Sequence, residues 1–402
     1  MTRQLFNTGL LLSLLGIMMS VSCSPSQPKT APESEEPLVI PAGFTFQWEA
    51  MASKILERAA LQTGEKVLLV GSPGQFDPLI SLIRNGVKAA GAEDLGAISV
   101  TQTQPPEWAT SYTNGAEGKN QRELEEYFST IDLGIMMPGA QPSDLAYRSI
   151  QNVLTSGPIR TIHFHWSGAY ELDLSEKPID ETVNTVYQHA LLATDYNRLG
   201  QMQKLFEADA RGVPVNVTTP AGTDITFRIG DRPVTRQDGD ASAVRARRAK
   251  NLIDREIELP AGAVRVAPVE STVNGVIRFP DSDWNGTRVT GLRMMFKAGK
   301  LTDWSADSGS EAVQAELDRG GAAARSFREF ALGFNPLLAI PAENPWIPYY
   351  GYGAGVVRLS LGDNTELGGN VGGGYVRWNF FTDATVTVRD EVWVRDGRLV
   401  VQ

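Results

Sequence analysis

From Trp48 the apolar positions Ala52, Ile55, Leu56, Ala59 and Ala60 fall at three- and four-residue steps, the spacing that lines one face of a helix. Lys66 to Gly71 then reads Lys-Val-Leu-Leu-Val-Gly after Thr63-Gly64, a short apolar run that predicts a buried strand. The alternation continues with a helix over 78–91 (Leu79, Leu82, Ile83, Val87), a strand at Ala97–Val100 and a helix at Glu123–Phe128. A strand at Leu133–Met137, a helix at Asp144–Leu154 and a strand at Arg160–Trp166 follow. Two helices over 180–194 and 196–209 end this stretch. Strands that alternate with helices predict a parallel sheet covered on both faces.

After Gly212 the period shortens. Val215-Asn-Val217-Thr218, Asp224-Ile-Thr-Phe227 and Val264-Arg-Val266 alternate, and 272–279 and 292–296 read as further strands. Asp396-Gly397 between Val392–Val394 and Leu399–Val401 predicts a hairpin with a tight turn. One helix over 309–318 interrupts them, with Asp307-Ser-Gly-Ser-Glu311 as its turn and cap. The fold class expected is α/β plus α+β: an N-terminal parallel-sheet α/β domain over 46–210, then a β-rich C-terminal domain with a few helices over 211–402. No 20-to-50-residue repeat is visible.

The N-terminus changes the picture of where the protein works. Arg3, an apolar run from Leu5 to Val21 and Ser20-Val21-Ser22-Cys23 have the three parts of a secretory signal over 1–22. Cys23 is the single cysteine of the chain, so it has no internal disulfide partner, and its place predicts lipid attachment. Residues 23–45 are rich in Ser, Pro, Lys, Thr and Glu and read as a flexible tether. The expectation is an exported bacterial envelope lipoprotein, on the outer membrane facing the periplasm, with the membrane as a partner through its N-terminal lipid. The 47 acidic residues against 37 basic ones argue against nucleic acid as a partner, since that role needs clustered positive charge. The local cluster Arg245-Ala-Arg247-Arg248-Ala-Lys250 reads as a solvated loop or helix face.

Few motifs carry chemistry. Gly71-Ser-Pro-Gly74 follows a strand but is neither a dinucleotide fingerprint nor a P-loop, and Gly-x-Ser-x-Gly is absent. His163 and His165 lie on one side of a predicted strand, with Glu171 and Asp173 close behind. Such a pair can chelate a metal, and it equally suits ordinary structural or surface histidines. His189 is the only other histidine.

Three blocks stand out near the C-terminus: Glu329-Phe330-Ala331-Leu332-Gly333, Arg358-Leu359-Ser360-Leu361-Gly362 and Arg377-Trp378-Asn379. Earlier blocks are Thr219-Pro-Ala-Gly-Thr-Asp224-Ile-Thr-Phe227, Leu259-Pro-Ala-Gly-Ala-Val264, Ala267-Pro-Val-Glu270 and Val273-Asn-Gly275. In order and spacing this resembles the thermophilic aminopeptidase family (aminopeptidase T and its AmpS-like relatives), over most of residues 48–402. The resemblance implies a dimer built through the second domain and a co-catalytic metal pair. It also shows where the metal ligands are missing. The family's first glutamate falls at Ala263, and its second is kept as Glu329. A further acidic position is Gly351, the third-block histidine is Arg358, and the final histidine and aspartate are Arg377 and Asn379. The tyrosine usual after the third block has no counterpart in Gly362-Asp-Asn-Thr-Glu366.

Arginine stays protonated and offers no lone pair to a metal. No cofactor is therefore expected, with a divalent metal such as zinc or cobalt as the alternative. Arg358 and Arg377 are expected to replace the metal charge and pair with Glu329. A related dioxygenase lineage on a similar scaffold uses His and Asp ligands, so the same losses weigh against it. Trp346, Tyr349, Tyr350 and Tyr352, with the glycines around them, read as tight loops over the cleft, and with the arginines they could hold a peptide or another anionic ligand. The expected function is a lipid-anchored, non-catalytic binding or assembly protein, with a homodimer implied by the resemblance. The alternatives are a hydrolase with a rebuilt active site and a metal-binding protein using His163 and His165.

Overall fold

The structure is a computed structural model that describes residues 43–400, all within one compact unit. The signal, Cys23 and nearly all of the tether lie outside the described residues. Five parallel strands form the first sheet, in the order Glu93–Ser99, Lys66–Gly71, Leu133–Met136, Arg160–His163, Glu256–Glu258. Apolar side chains of the Lys66–Gly71 strand alternate between two layers, which is why its sequence is apolar throughout. Val67 and Leu69 pack with Met51, Ile55, Leu79 and Ile83 from the helices Trp48–Ala59 and Asp77–Ala89. Leu68 and Val70 pack on the other side with Leu124, Phe128, Tyr147 and Ile150 from Gln121–Phe128 and Leu145–Ser156.

The fifth strand comes from beyond residue 211. Glu256–Glu258 lies beside Arg160–His163, pairing Glu256 with Thr161 and Glu258 with His163. Side chains at paired positions share a face, so both glutamates stand on the face of His163 while Ile257 enters the core.

Two large antiparallel sheets and a two-stranded one, Ser282–Trp284 with Thr287–Val289, make up the second region. An eight-stranded sheet runs Lys300–Ser305, Arg293–Lys297, Asn274–Arg278, Asp224–Arg228, Pro214–Thr218, Thr385–Val388, Glu391–Arg395, Arg398–Leu399. The expected hairpin closes it. Asp396 and Gly397 take φ values of 48° and 75°, as a two-residue turn with both central residues left-handed requires. A six-stranded sheet runs Val376–Arg377, Val357–Gly362, Phe327–Gly333, Ala263–Val266, Thr235–Arg236, with Phe380–Phe381 added to Val357–Gly362. Its middle strands are buried along their whole length.

Three local expectations change. The strand predicted to reach Trp166 stops at His163, and Trp166 turns into a left-handed conformation with φ 52°. The helix predicted over 309–318 runs Ser310–Ala324 with a break at Gly321, and Gly309 stands at its start with no side-chain cap. In the basic cluster, Arg245 is not solvated. It pairs with Asp238 at 2.5 Å and with Asp254 at 3.6 Å.

Candidate functional site

The six-stranded sheet carries a charged cluster on one face. Ala331 pairs with Arg265 on one neighbouring strand and with Arg358 on the other, so these three residues form one rung. Glu329 is two residues earlier on the central strand and faces the same way. Because Ala331 is small, both guanidiniums can lean across it. Arg265 Nε donates to Glu329 Oε1 at 2.5 Å, and Arg358 Nη2 donates to the same oxygen at 2.9 Å. The register slips by one between Phe327 and Glu329, which brings Arg328 into the group, with its Nε 3.5 Å from Glu329 Oε2. Arg328 Nη2 and Arg265 Nη2 also donate to Glu366, the latter at 3.2 Å.

Glu329 is wholly buried, and the three arginines are nearly so. Burial alone would push the Glu329 carboxyl up. The charges of Arg265, Arg358 and Arg328 outweigh burial and hold it well below the usual carboxylate range. Arg358 is further fixed by donating to the Tyr350 carbonyl at 3.3 Å and by lying 4.9 Å from the Trp378 ring centre.

The other residues singled out from sequence divide in two. Ala263 lies two rungs along from Arg265, on the same face, paired with Gly333. Gly351 cannot hold an acid as built. Its φ is 73°, and a Cβ there would stand 2.7 Å from the Phe380 ring. Asn379 is buried and spends its amide on the Leu359 carbonyl at 3.2 Å, and its Oδ1 has no hydrogen-bond partner among the described residues. Arg377 does not pair with Glu329, contrary to the sequence expectation. It sits at the sheet's edge and donates to Glu316 at 3.1 Å, and its guanidinium lies 3.6 Å from the Trp284 ring centre. The strand Val376–Arg377 pairs with Leu361 and Gly362, beyond the rung of Arg358, which carries Arg377 away from the cluster. Arg377→Met is expected to cost about 1–2 kcal/mol of stability, from one charge-assisted hydrogen-bond pair and a stacked cation, measured by urea unfolding.

A second polar group adjoins the first. His163 Nδ1 is 3.0 Å from Glu256 Oε1, and the Tyr147 hydroxyl lies 3.2 Å from His163 Nδ1 and 3.1 Å from His165 Nε2. Gln151 Nε2 reaches His163 Nε2 at 3.0 Å and donates to Glu256 Oε1 at 3.2 Å. Burial holds His163 well below its ordinary value and pushes His165 down to about 4, so both imidazoles are neutral. Burial pushes Glu256 up to about 8, with the nearby Glu366 and Glu258 adding to the rise. Glu258 is raised too, chiefly by burial, against the pull of Arg265 and Arg358.

Sequence reasoning missed Arg265, Arg328, Glu366, Glu256 and Glu258. The signal for Arg265 was its place two residues after Ala263 on a strand, and for Glu256 and Glu258 their alternation around Ile257. Nothing local marks Glu366 as part of the group.

These residues do not fit the co-catalytic metal pair. Glu329, the one donor kept by the resemblance, is already held by guanidiniums, which repel a dication and have no lone pair to give. The ring nitrogens of His163 and His165 face Tyr147, Gln151 and Glu256. Among the described residues no group of three His, Cys, Asp or Glu side chains is arranged to hold a metal ion.

Comparison with known proteins places this geometry. Residues 214–339 match the family model described as thermophilic metalloprotease (M29). The second region is thus similar to this family over the matched stretch. Glu329 lies inside the matched stretch, and Arg358, Arg377 and Asn379 lie beyond it. The fold is also that of wild-type AmpT from Thermus thermophilus, at 16% identity and a TM-score of 0.55, over 88% of this chain and 99% of that one. A 2,5-dihydroxypyridine dioxygenase from Pseudomonas putida shares it, at 15% identity and a TM-score of 0.59, over 89% of this chain and 97% of that one. At such identities the likeness concerns the fold. No curated protein sequence matches the chain.

Proposed function

We propose that the protein is a lipid-anchored binding or assembly protein on an aminopeptidase-type scaffold, in which an arginine cluster has taken the place of the metal centre. The observation that carries this reading is Glu329 clasped by Arg265 at 2.5 Å and by Arg358 at 2.9 Å. A carboxylate so held is not available to bind a dication or to activate a water. The same cluster suits an anionic ligand, such as the carboxylate of a peptide, because guanidinium forks match carboxylates. Anchoring through Cys23 would set this site in the bacterial envelope, facing the periplasm from the outer membrane. Pairing of two copies through the second region belongs to the same proposal.

One observation favours a second reading, a hydrolase with a rebuilt site. Glu256, pushed up to about 8 beside His163 and Tyr147, has the proton affinity of a general acid near neutral pH. One experiment separates the two. The full-length protein, purified in detergent, is assayed for metal by mass spectrometry and for cleavage of aminoacyl reporters with added zinc, cobalt or manganese. The expected result is metal far below one ion per chain and no cleavage with any ion. Stoichiometric metal with metal-dependent cleavage would overturn the binding reading, and metal-independent cleavage abolished in Glu256→Gln would favour the hydrolase.

A further inference from the structure

One carboxylate of the cluster is unlike the others. Glu329 is sealed inside, whereas Glu366 meets Arg265 and Arg328 from the rim with 34% of its side chain exposed. The backbone that carries Glu366 is pinned. Leu367 is buried against Ile253 and Ala267. Asn364 is also buried, and its Oδ1 accepts from the Val371 amide at 2.7 Å. Asp363 accepts from the amides of Thr365 and Gly374, both at 2.9 Å. The Glu366 side chain can therefore swing into water with its turn unmoved. Behind it, the cluster has donors to spare. Arg358 Nε is buried with no hydrogen-bond partner among the described residues, and Arg328 Nε has only the 3.5 Å approach to Glu329 Oε2. The three buried guanidiniums bond directly to two carboxylates, Glu329 inside and Glu366 at the rim, while Glu258, raised by burial, lies near Arg265 and Arg358.

We propose that Arg265 and Arg328 form a clamp for the carboxylate of a small external anion, and that Glu366 is the internal carboxylate which this ligand displaces. The inference rests on the reading of the arginine cluster as a ligand site. The exchange keeps the buried charge balanced at every stage, since one carboxylate leaves for water as another arrives. Glu366 regains hydration when it swings out, and the ligand gives up its own. A tethered competitor has a high effective concentration, so the wild-type protein binds a simple carboxylate weakly. The plug thus selects for ligands that make contacts beyond the clamp, toward Tyr352 and the Trp378 face.

The test is calorimetric titration of the full-length protein in detergent with sodium acetate, against sodium chloride at equal ionic strength. Glu366→Ala is expected to bind acetate at least about tenfold tighter than wild type, since the ligand no longer displaces a carboxylate that accepts from both Arg265 and Arg328. Glu366→Gln, which keeps the shape and loses the charge, should fall between them. Arg328→Lys in the Glu366→Ala background keeps the charge but loses the planar fork, and should weaken acetate again. The thermal transition of Glu366→Ala should be lower than wild type and be raised by acetate but not by chloride. Equal affinity in wild type and Glu366→Ala overturns the displacement while leaving a carboxylate site in place. A cooperatively folded Glu366→Ala protein that binds no acetate overturns both the plug and the ligand-site reading beneath it.

Discussion

Glu329→Gln is expected to lower the unfolding free energy by about 3–5 kcal/mol, the loss found when one partner of a buried ion pair is removed. The substitution keeps the shape of the side chain and removes the only fully buried negative charge of the cluster. Arg265 and Arg358 are then left charged in a place where water does not reach them. The pH dependence gives a second signature. The folded protein holds the Glu329 carboxyl far below its ordinary 4.5, so the stabilisation is fully present above that pH. It is lost as pH falls below 4.5, because the unfolded chain takes up a proton that the folded one refuses. Glu329→Gln should lack this part of the acid limb. Adding Arg358→Met to Glu329→Leu should recover part of the loss, since it removes one of the stranded guanidiniums while Arg265 and Arg328 keep Glu366. Urea unfolding at neutral pH and at pH 3–4 checks these points, and a loss under about 1 kcal/mol would mean that the cluster is better hydrated than its burial indicates.

Glu256→Gln should act in the opposite direction and at the other end of the pH scale. Glu256 keeps its proton up to about pH 8 when folded and gives it up near 4.5 when unfolded. The unfolded state therefore binds fewer protons between these values, and stability falls as pH rises through that window. Removing the titration should stabilise the protein at pH 8 by about 3 kcal/mol and leave it nearly unchanged at pH 4. This is less than the full linkage of about 4.8 kcal/mol, because the side chain is still 16% exposed. The readout is the difference between variant and wild type across pH. His163 and His165, buried neutral, give both proteins a loss of stability as pH falls below 6.5, and this cancels in the difference. A difference that does not change with pH would show that Glu256 titrates normally.

Both predictions concern residues whose importance was unequally legible. Glu329 was visible because it stands in a block of recognisable order, Glu-Phe-Ala-Leu-Gly, and the replacement of imidazoles by Arg358 and Arg377 could be read position by position. That Arg358 pairs with Glu329 was expected from its charge and its place in the block order, and the register at Ala331 realises it. That Arg377 does not could not be foreseen, because it depends on a two-residue edge strand that pairs with Leu361 and Gly362 and turns the side chain to Glu316 and Trp284. Glu256 was hard to see for a different reason, since its alternation with Glu258 around Ile257 is very short. A three-residue strand has too few positions to show a period, and its sheet partner lies about a hundred residues earlier in the chain.

Local pattern alone determined the outline of the fold. Apolar runs of four to six residues between amphipathic helices can hardly be buried except in a covered parallel sheet, and the alternation after Gly212 suits antiparallel strands. The chain's residue types also determined a chemical limit, since guanidinium and amide groups at Arg358, Arg377 and Asn379 cannot serve as imidazole and carboxylate do. Tertiary structure decided which charges meet. Arg265 and Arg358 converge on Glu329 only because small Ala331 lies between them across three strands, and Glu366 reaches Arg265 and Arg328 only through a pinned turn. Ion pairs of this kind join residues far apart in sequence. Their strength depends on distance and on exclusion of water, and neither exists until the sheet has formed.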